Sequence, residues 1–416
     1  MKKTTRFMYL LLALIISCSS LRLVYANDGY KHNITPAEYA KSFIDIVTPE
    51  NDLTADEIIE IYDENENLSG YCVSLYDNNL ENGYVVIKFS NNNPVISEYS
   101  IGKGVKNIYY NIAEKVDEDI SGEVEPSGEK KIYSFEPNNY NAGFLSKDNE
   151  VIIGSYEEKI ETTREFKEYK ETSKQRNREI KENYIAKNKN QTTADEELTL
   201  YEGVSDEKSA SSVIFDNLTG RIISRGCIDK GTSIAYFSRS DIIYGTGRYA
   251  CSVVALTNLM LYFDLTGKDM MPLGMADTFN TLWRYSQTTC HEIENGVELG
   301  GTAPDKKGPA AKKYIEEQGY NCTITSYNFP EISETTFNLM KTHINNNRPL
   351  LIGYNHGNEG HAVLGIGFIK LDNGLYFGVA DGWNSEVRYI KYDAGGYAYF
   401  NFEAVKVTNK STGGYK

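Results

Sequence analysis

Three side chains far apart in the chain are of the types that make an acyl-transfer centre. They are the thiol of Cys251, the imidazole of His361 and the carboxylate of Asp381, with the amide of Asn384 as the alternative third member. A thiol attacks a carbonyl as thiolate and needs a base within hydrogen-bond reach. The imidazole in turn needs a third group to fix its tautomer and orientation. Cys251 stands near the start of a stretch, Tyr249 to Phe263, that contains no charged residue. Its apolar side chains cover every face of the implied helix, so the helix should be buried on all sides. Gly245 and Gly247 lie in the loop leading in, and Asp264 with Gly267 should close the helix. A sulfur at a helix N-terminus meets the positive end of the macrodipole and unpaired N–H groups, which favour thiolate. Buried cysteines are also common as inert packing, so Cys251 alone decides nothing.

The elements that must position the other two are strands. Pro349 to Gly353 reads as a short buried strand and Gly360 to Phe368 as a second. Period two puts His361, Val363, Gly365 and Gly367 on one face. Glycine weakens a strand, so two on the histidine's face imply the close approach of another element. The helix carrying Cys251 is the expected one. A turn at Asp372-Asn373-Gly374 then returns the chain through Leu375 to Val379 and Asp381. A two-residue Asn-Gly turn would put Asn384 on the face of His361, and a three-residue loop would put Asp381 there. Either register leaves Asp381 several residues from His361 unless a bulge shifts the ladder. Asp381 is the preferred orienter.

Composition narrows the setting. The chain has 416 residues, and 43 basic against 58 acidic residues give a net charge of −15. That argues against nucleic acid or an anionic membrane surface as partner. Lys2, Lys3 and Arg6 precede a short apolar run from Met8 to Ser17, and Ala26 offers a small residue for cleavage. Residues 1–26 therefore read as an export signal and not as a stable membrane span. Ile15-Ile16-Ser17-Cys18 offers a competing reading, in which Cys18 is lipidated and anchors the protein to the cell surface. Five cysteines follow the signal (Cys72, Cys227, Cys251, Cys290 and Cys322), an odd number with no close pair. Neither a disulfide framework nor a zinc site is indicated, and His291-Glu292 lacks a second metal-binding histidine. No cofactor is expected.

Residues 27–155 read as a small helix-plus-sheet unit. Thr35-Pro36-Ala37-Glu38 is a capping box, and a second, acidic helix is expected through Ile58, Ile59 and Tyr62. Strands are expected at Tyr71 to Tyr76, Tyr84 to Phe89 and Val95 to Tyr99, with turns at Asn82-Gly83 and Asn92-Asn93-Pro94. Residues 156–202 are charged and poor in apolar side chains, which suits a solvated helix or a disordered linker open to proteases. Residues 203–416 read as one α+β domain, with further helices at Met275 to Gln287, Lys306 to Gln318 and Ile332 to Asn345.

Two sets of residues carry a resemblance. Glu81 to Ser100, with its Gly83-Tyr84-Val85-Val86 strand and Pro94-Val95 turn, is similar to the propeptide of streptopain-type cysteine proteases. The ordered set of the Tyr249-Ala250-Cys251 helix start with Asn258, Gly301 to Pro304, Arg348 to Ile352, Gly360 to Val363 and Val379 to Trp383 resembles papain-fold peptidases near streptopain and the bacteriocin-processing peptidases. The resemblance spans about residues 215–400. It implies a papain-like domain, a buried Cys-bearing helix on an antiparallel sheet, acting on protein or peptide substrates. Cys251 would be the nucleophile, His361 the general base and Asp381 the orienter. The N-terminal unit would be the inhibitory segment of a secreted zymogen. One departure stands out: Gly245 and Thr246 occupy the positions where the family carries a glutamine that binds the oxyanion. That departure keeps open a non-catalytic extracellular binding protein on the same scaffold. Because one triad serves several chemistries, a different Cys-His-Asp acyl-transfer enzyme, either transglutaminase-like or a cell-wall peptide hydrolase, is a further reading.

Overall fold

The expected capping box starts the first helix, α1 (Pro36–Val47): Glu38 N–H donates to Thr35 Oγ1 at 3.2 Å and Thr35 N–H donates to Glu38 Oε2 at 2.7 Å. The structure, a computed structural model, describes residues 34–120, 122–136, 138–156, 160–188, 213–228, 250–294, 297–329, 333–356, 359–383, 386–392 and 399–409. The export signal, Cys18, Asn384 and the loop with Gly245 and Thr246 lie outside the described residues.

After α1 come four strands, β1 (Thr54–Tyr62), β2 (Leu68–Asp77), β3 (Leu80–Ser90) and β4 (Asn93–Ile101). The segment expected to be a second helix is β1. Its Ile59 and Ile61 are buried while Ile58 between them and α1 is 40% exposed, a period of two, and β1 pairs antiparallel with β2. Three isoleucines in four positions fit a pleated surface better than a helix. The first hairpin also turns elsewhere than expected. Asn78 and Asn79 take positive φ at its tip, whereas Asn82-Gly83 lies inside β3. Gly83 is needed there: at φ +128°, a Cβ would stand 2.2 Å from the Ser100 carbonyl oxygen. Helix α2 (Ile108–Ile120) and short strands β5 (Glu125–Pro126), β6 (Lys131–Glu136), β7 (Asn139–Leu145), β8 (Val151–Ser155) and β9 (Ile160–Thr162) complete this part. The charged stretch that follows is a helix over most of its length, α3 (Thr163–Asn188). Phe166 anchors it against Phe135 and Ile153, and Arg176 pairs with Glu136.

The second half holds β10 (Ile222–Cys227), α4 (Cys251–Phe263), α5 (Met275–Tyr285), β11 (Thr289–Glu294), β12 (Val297–Gly301), α6 (Lys307–Glu317), β13 (Asn321–Phe329), α7 (Glu334–Asn345), β14 (Leu350–His356), β15 (Glu359–Leu371), β16 (Gly374–Ala380), β17 (Arg388–Lys391) and β18 (Tyr399–Thr408). The fold class is α+β, as expected. One large mixed sheet crosses both halves in the order β13-β18-β14-β15-β16-β17-β4-β3-β2-β1-β6-β7-β8-β9, with β1–β6 the parallel pair. The two halves are joined where β17 pairs antiparallel with β4, Tyr389 opposite Tyr99.

Candidate active site

Helix α4 behaves as its composition requires. From Ser252 to Phe263 every side chain except Val254 is buried, and the helix sits in a core with Leu351, Val363, Phe337 and Phe377. Gly267 ends it at φ +86°, and Asp264 Oδ1 accepts from the N–H groups of Met270 and Met271. Cys251 is its first residue and is half-buried. The helix packs on β15, the strand of His361, and on β14 beside it.

His361 pairs across the ladder with Tyr354, the two rings edge to face at 5.5 Å. Its other neighbour is Trp383, stacked on the imidazole at 4.6 Å and 20°. The glycines of β15 have a different cause from the expected helix. A Cβ on Gly365 would meet Ile352 of β14 at 2.5 Å, and one on Gly367 would meet the Gly226 carbonyl of β10 at 3.3 Å.

Neither expected turn register occurs. Leu371 pairs with Gly374, so Asp372-Asn373 is the two-residue loop. A register shift between Gly365 and Gly367 then moves the partner strand by one residue, giving Leu364 opposite Ala380. One step further along that ladder Asp381 falls opposite Val363, on the face of His361. The bulge thus does for Asp381 what turn length alone could not.

Asp381 is buried and has a strong cationic partner. Its Oδ1 accepts from Trp383 N–H at 2.9 Å, across Gly382 at φ +83°, and its Oδ2 from Arg388 Nη1 at 3.1 Å. Arg388 is wholly buried and reaches into the N-terminal half. Nε donates to Glu98 Oε1 at 3.0 Å, Nη2 to Glu98 Oε2 at 2.5 Å and Nη2 also to the Asn138 carbonyl at 3.2 Å. Glu98 accepts in addition from Tyr84 Oη at 3.2 Å and Tyr140 Oη at 2.9 Å. The Tyr156 ring lies 4.8 Å from Trp383, and Asn111 Nδ2 donates to the Trp383 carbonyl at 3.3 Å. The N-terminal half therefore grips the loop that carries Asp381 and Trp383.

Electrostatics follow from this packing. Burial, then the positive charges of Arg388 and Lys307, push the His361 imidazole down to about 3. Lys307 begins α6 and is 2% exposed, and it interacts electrostatically with Cys251 as well as with His361. Lys307, Arg388 and Glu98 were not found by sequence reasoning. Only Arg388 left a signal, since it alternates with Ile390 and Tyr392 on the buried register of its strand. Among the described residues no group of His, Cys, Asp and Glu is placed to hold a metal ion, and no helix is long and apolar enough to cross a membrane.

Residues 232–407 match the family described as Peptidase_C39 like. Over this span the chain is similar to that family. Cys251, His361 and Asp381 all lie within the matched span, whereas Glu98, Tyr140 and Tyr156 precede it. The solved structure of a Prevotella intermedia prointerpain A fragment, carrying a cysteine-to-alanine mutation, aligns with 83% of this chain and 97% of its own at 11% identity and a TM-score of 0.42. No curated protein matches the chain.

Proposed function

We propose that the chain is an exported cysteine endopeptidase with a papain-like catalytic domain, made as a zymogen that its own N-terminal half keeps latent. The packing of α4, with Cys251 at its tip, against the strand of His361 carries this reading. In the active form Cys251 gives its proton to His361 and the sulfur attacks the peptide carbonyl carbon. A C–S bond forms and the carbonyl π pair moves to oxygen. Collapse breaks the C–N bond as the imidazolium returns its proton to the departing amine. Water then cleaves the thioester with His361 as base.

Latency follows from the imidazole's surroundings. An imidazole pushed down to about 3 stays neutral at pH 7, so it is a poor acceptor for the thiol proton. Asp381, which should orient it, is shared with Arg388 and through it with Glu98. Separating the N-terminal half would admit water to Trp383 and His361 and raise the imidazole's proton affinity. The segment 189–212 between α3 and β10 is where cutting would sever the covalent link between the halves, a step that precedes their separation.

The purified full-length chain is incubated beside Cys251→Ala and His361→Ala variants. Self-shortening and release of peptides from casein in the wild type alone support the enzyme. Equal shortening in all three removes self-processing. A peptide epoxide that labels Cys251 independently of His361 would favour a binding scaffold instead.

A further inference from the structure

Glu98 is a carboxylate buried in the N-terminal half, with acceptors and donors already built around it. Tyr84 Oη donates to its Oε1 at 3.2 Å and Tyr140 Oη to its Oε2 at 2.9 Å. Asn138, at φ +62° in the turn between β6 and β7, brings its carbonyl to the same spot, and the Tyr156 ring walls one side. These groups hold one another within the N-terminal half. The Tyr84 and Tyr156 hydroxyls are 3.4 Å apart, and the Tyr140 and Tyr156 rings meet edge to face at 5.9 Å. All three tyrosines belong to one core with Cys72, Val86 and Ile112.

The cluster needs a positive charge from outside. Two phenol hydroxyls do not offset the burial of a carboxylate, so a cation must complete it. Arg388 of β17 is the cation paired with Glu98 among the described residues. Lys88 and Lys115 lie against the Tyr140 and Tyr156 rings instead, at 5.8 and 5.9 Å from the centroids. The shape selects a guanidinium. Nε and Nη2 lie on the two oxygens of Glu98 at 3.0 and 2.5 Å, a fork that an ammonium does not have. Nη2 also serves the Asn138 carbonyl at 3.2 Å, and the guanidinium carbon sits 5.2 Å from the Tyr156 centroid. Asp381 adds a single bond, from Nη1. The margin of β4 reads the strand that brings the arginine. Arg388 stands opposite Ser100, Tyr389 is stacked on Tyr99 at 5.0 Å, and Ser100 Oγ donates to the Val387 carbonyl at 3.2 Å.

We propose that the N-terminal half carries a binding site for the guanidinium of an arginine presented on an extended strand. In the intact chain β17 fills it. Once the halves part, an arginine-bearing strand of another protein takes its place. That second step rests on the separation proposed above, whereas the pocket does not.

The intact chain carrying Arg388→Ala is the first test, since that change empties the slot beyond Cβ. N-ethylguanidinium at about 10 mM is expected to raise its thermal midpoint by about 2–4 °C, the shift for a ligand in several-fold excess over its Kd, and to leave wild type unmoved. n-Propylammonium, of similar reach but without the fork, is expected to do nothing. The gain should survive Asp381→Asn and vanish with Glu98→Gln. Equal gains from both cations, no gain from either, or a gain that ignores Glu98→Gln overturns the site. Should Arg388→Ala be unfolded in buffer, the yield on refolding decides: a higher yield with N-ethylguanidinium alone supports the site, and equal yields overturn it. The outside ligand is tested on wild type cut between the halves by an added protease. An immobilised peptide of residues 387–391 should retain the N-terminal piece, and its Arg388→Lys version should not. Rescue without retention overturns the outside ligand, and a sizing column tells that failure from failure of the halves to part. None of these readouts uses Cys251, so a chain that shows them and cleaves nothing sinks the peptidase reading alone.

Discussion

Replacing Arg388 by methionine should be among the most damaging single changes in the protein. Arg388 is fully buried and is shared by two carboxylates, Glu98 from the N-terminal half and Asp381 from the C-terminal half. Methionine keeps much of the volume, so packing loss is small. What is left is a pair of buried carboxylates without their cation, plus the Asn138 carbonyl without its donor. Removing one partner of a buried ion pair costs about 3–5 kcal/mol, and here two anions are stranded at once, so about 5 kcal/mol is expected at pH 7. Neutralising the anions should recover most of it: Glu98→Gln and Asp381→Asn added to Arg388→Met should bring stability back to within about 2 kcal/mol of wild type. Urea unfolding followed by tryptophan fluorescence measures this, because one of the two tryptophans, Trp383, lies against the Arg388 guanidinium with 5.3 Å between guanidinium carbon and ring centroid. A Trp283→Phe background isolates the signal. A loss below about 1 kcal/mol for Arg388→Met, or a triple variant no better than the single, would refute the claim that this trio fastens the two halves.

Two further outcomes concern bases whose proton affinity the packing lowers. Packing pushes the folded His361 imidazole down to about 3 from an ordinary value of 6.5, so between these limits the unfolded chain binds more protons and folding weakens as pH falls. The wild type should lose about 2–3 kcal/mol relative to His361→Gln between pH 6 and pH 4, measured by urea midpoints, and a flat difference would show the imidazole to be hydrated. Lys88 is buried in the N-terminal half and pulled down to about 7, by burial first, with Glu98, Asp63 and Glu64 opposing. Its unfolded form holds the proton longer, so from pH 7 upward toward lysine's ordinary range wild type should gain on Lys88→Met, by about 1.4 kcal/mol per pH unit at most. Equal slopes for the two proteins would show that Lys88 keeps its charge.

Much of the site's scaffold could be read from the chain. The uncharged run after Cys251 had one stable solution, a helix inside a core, and the glycine-bearing strand of His361 another. The α5, α6 and α7 helices fall within about two residues of the expected spans, and the Thr35 capping box is present as written. Legibility failed where two periodicities compete. Ile58, Ile59 and Ile61 satisfy both a helical stripe and an alternating strand, and only pairing with β2 chooses. It failed again for charge. Lys307 sits beside Lys306 and Glu98 between Ser97 and Tyr99, and nothing local marks either as buried. Their burial depends on partners such as Asn401 and Arg388, 94 and 290 residues away. The placement of Asp381 needed a bulge, a one-residue event that the turn sequence does not announce.

The seam between β17 and β4 has a mechanical consequence for any cleavage between the halves. A protease that nicks the backbone after α3 severs only the covalent thread. The ladder from Arg388–Ser100 to Ile390–Glu98 still fastens the pieces, and so does the guanidinium beneath it. Parting them would leave two bare strand margins, each a template for joining other copies. Nicked chains should therefore travel together through a sizing column until something else covers those margins.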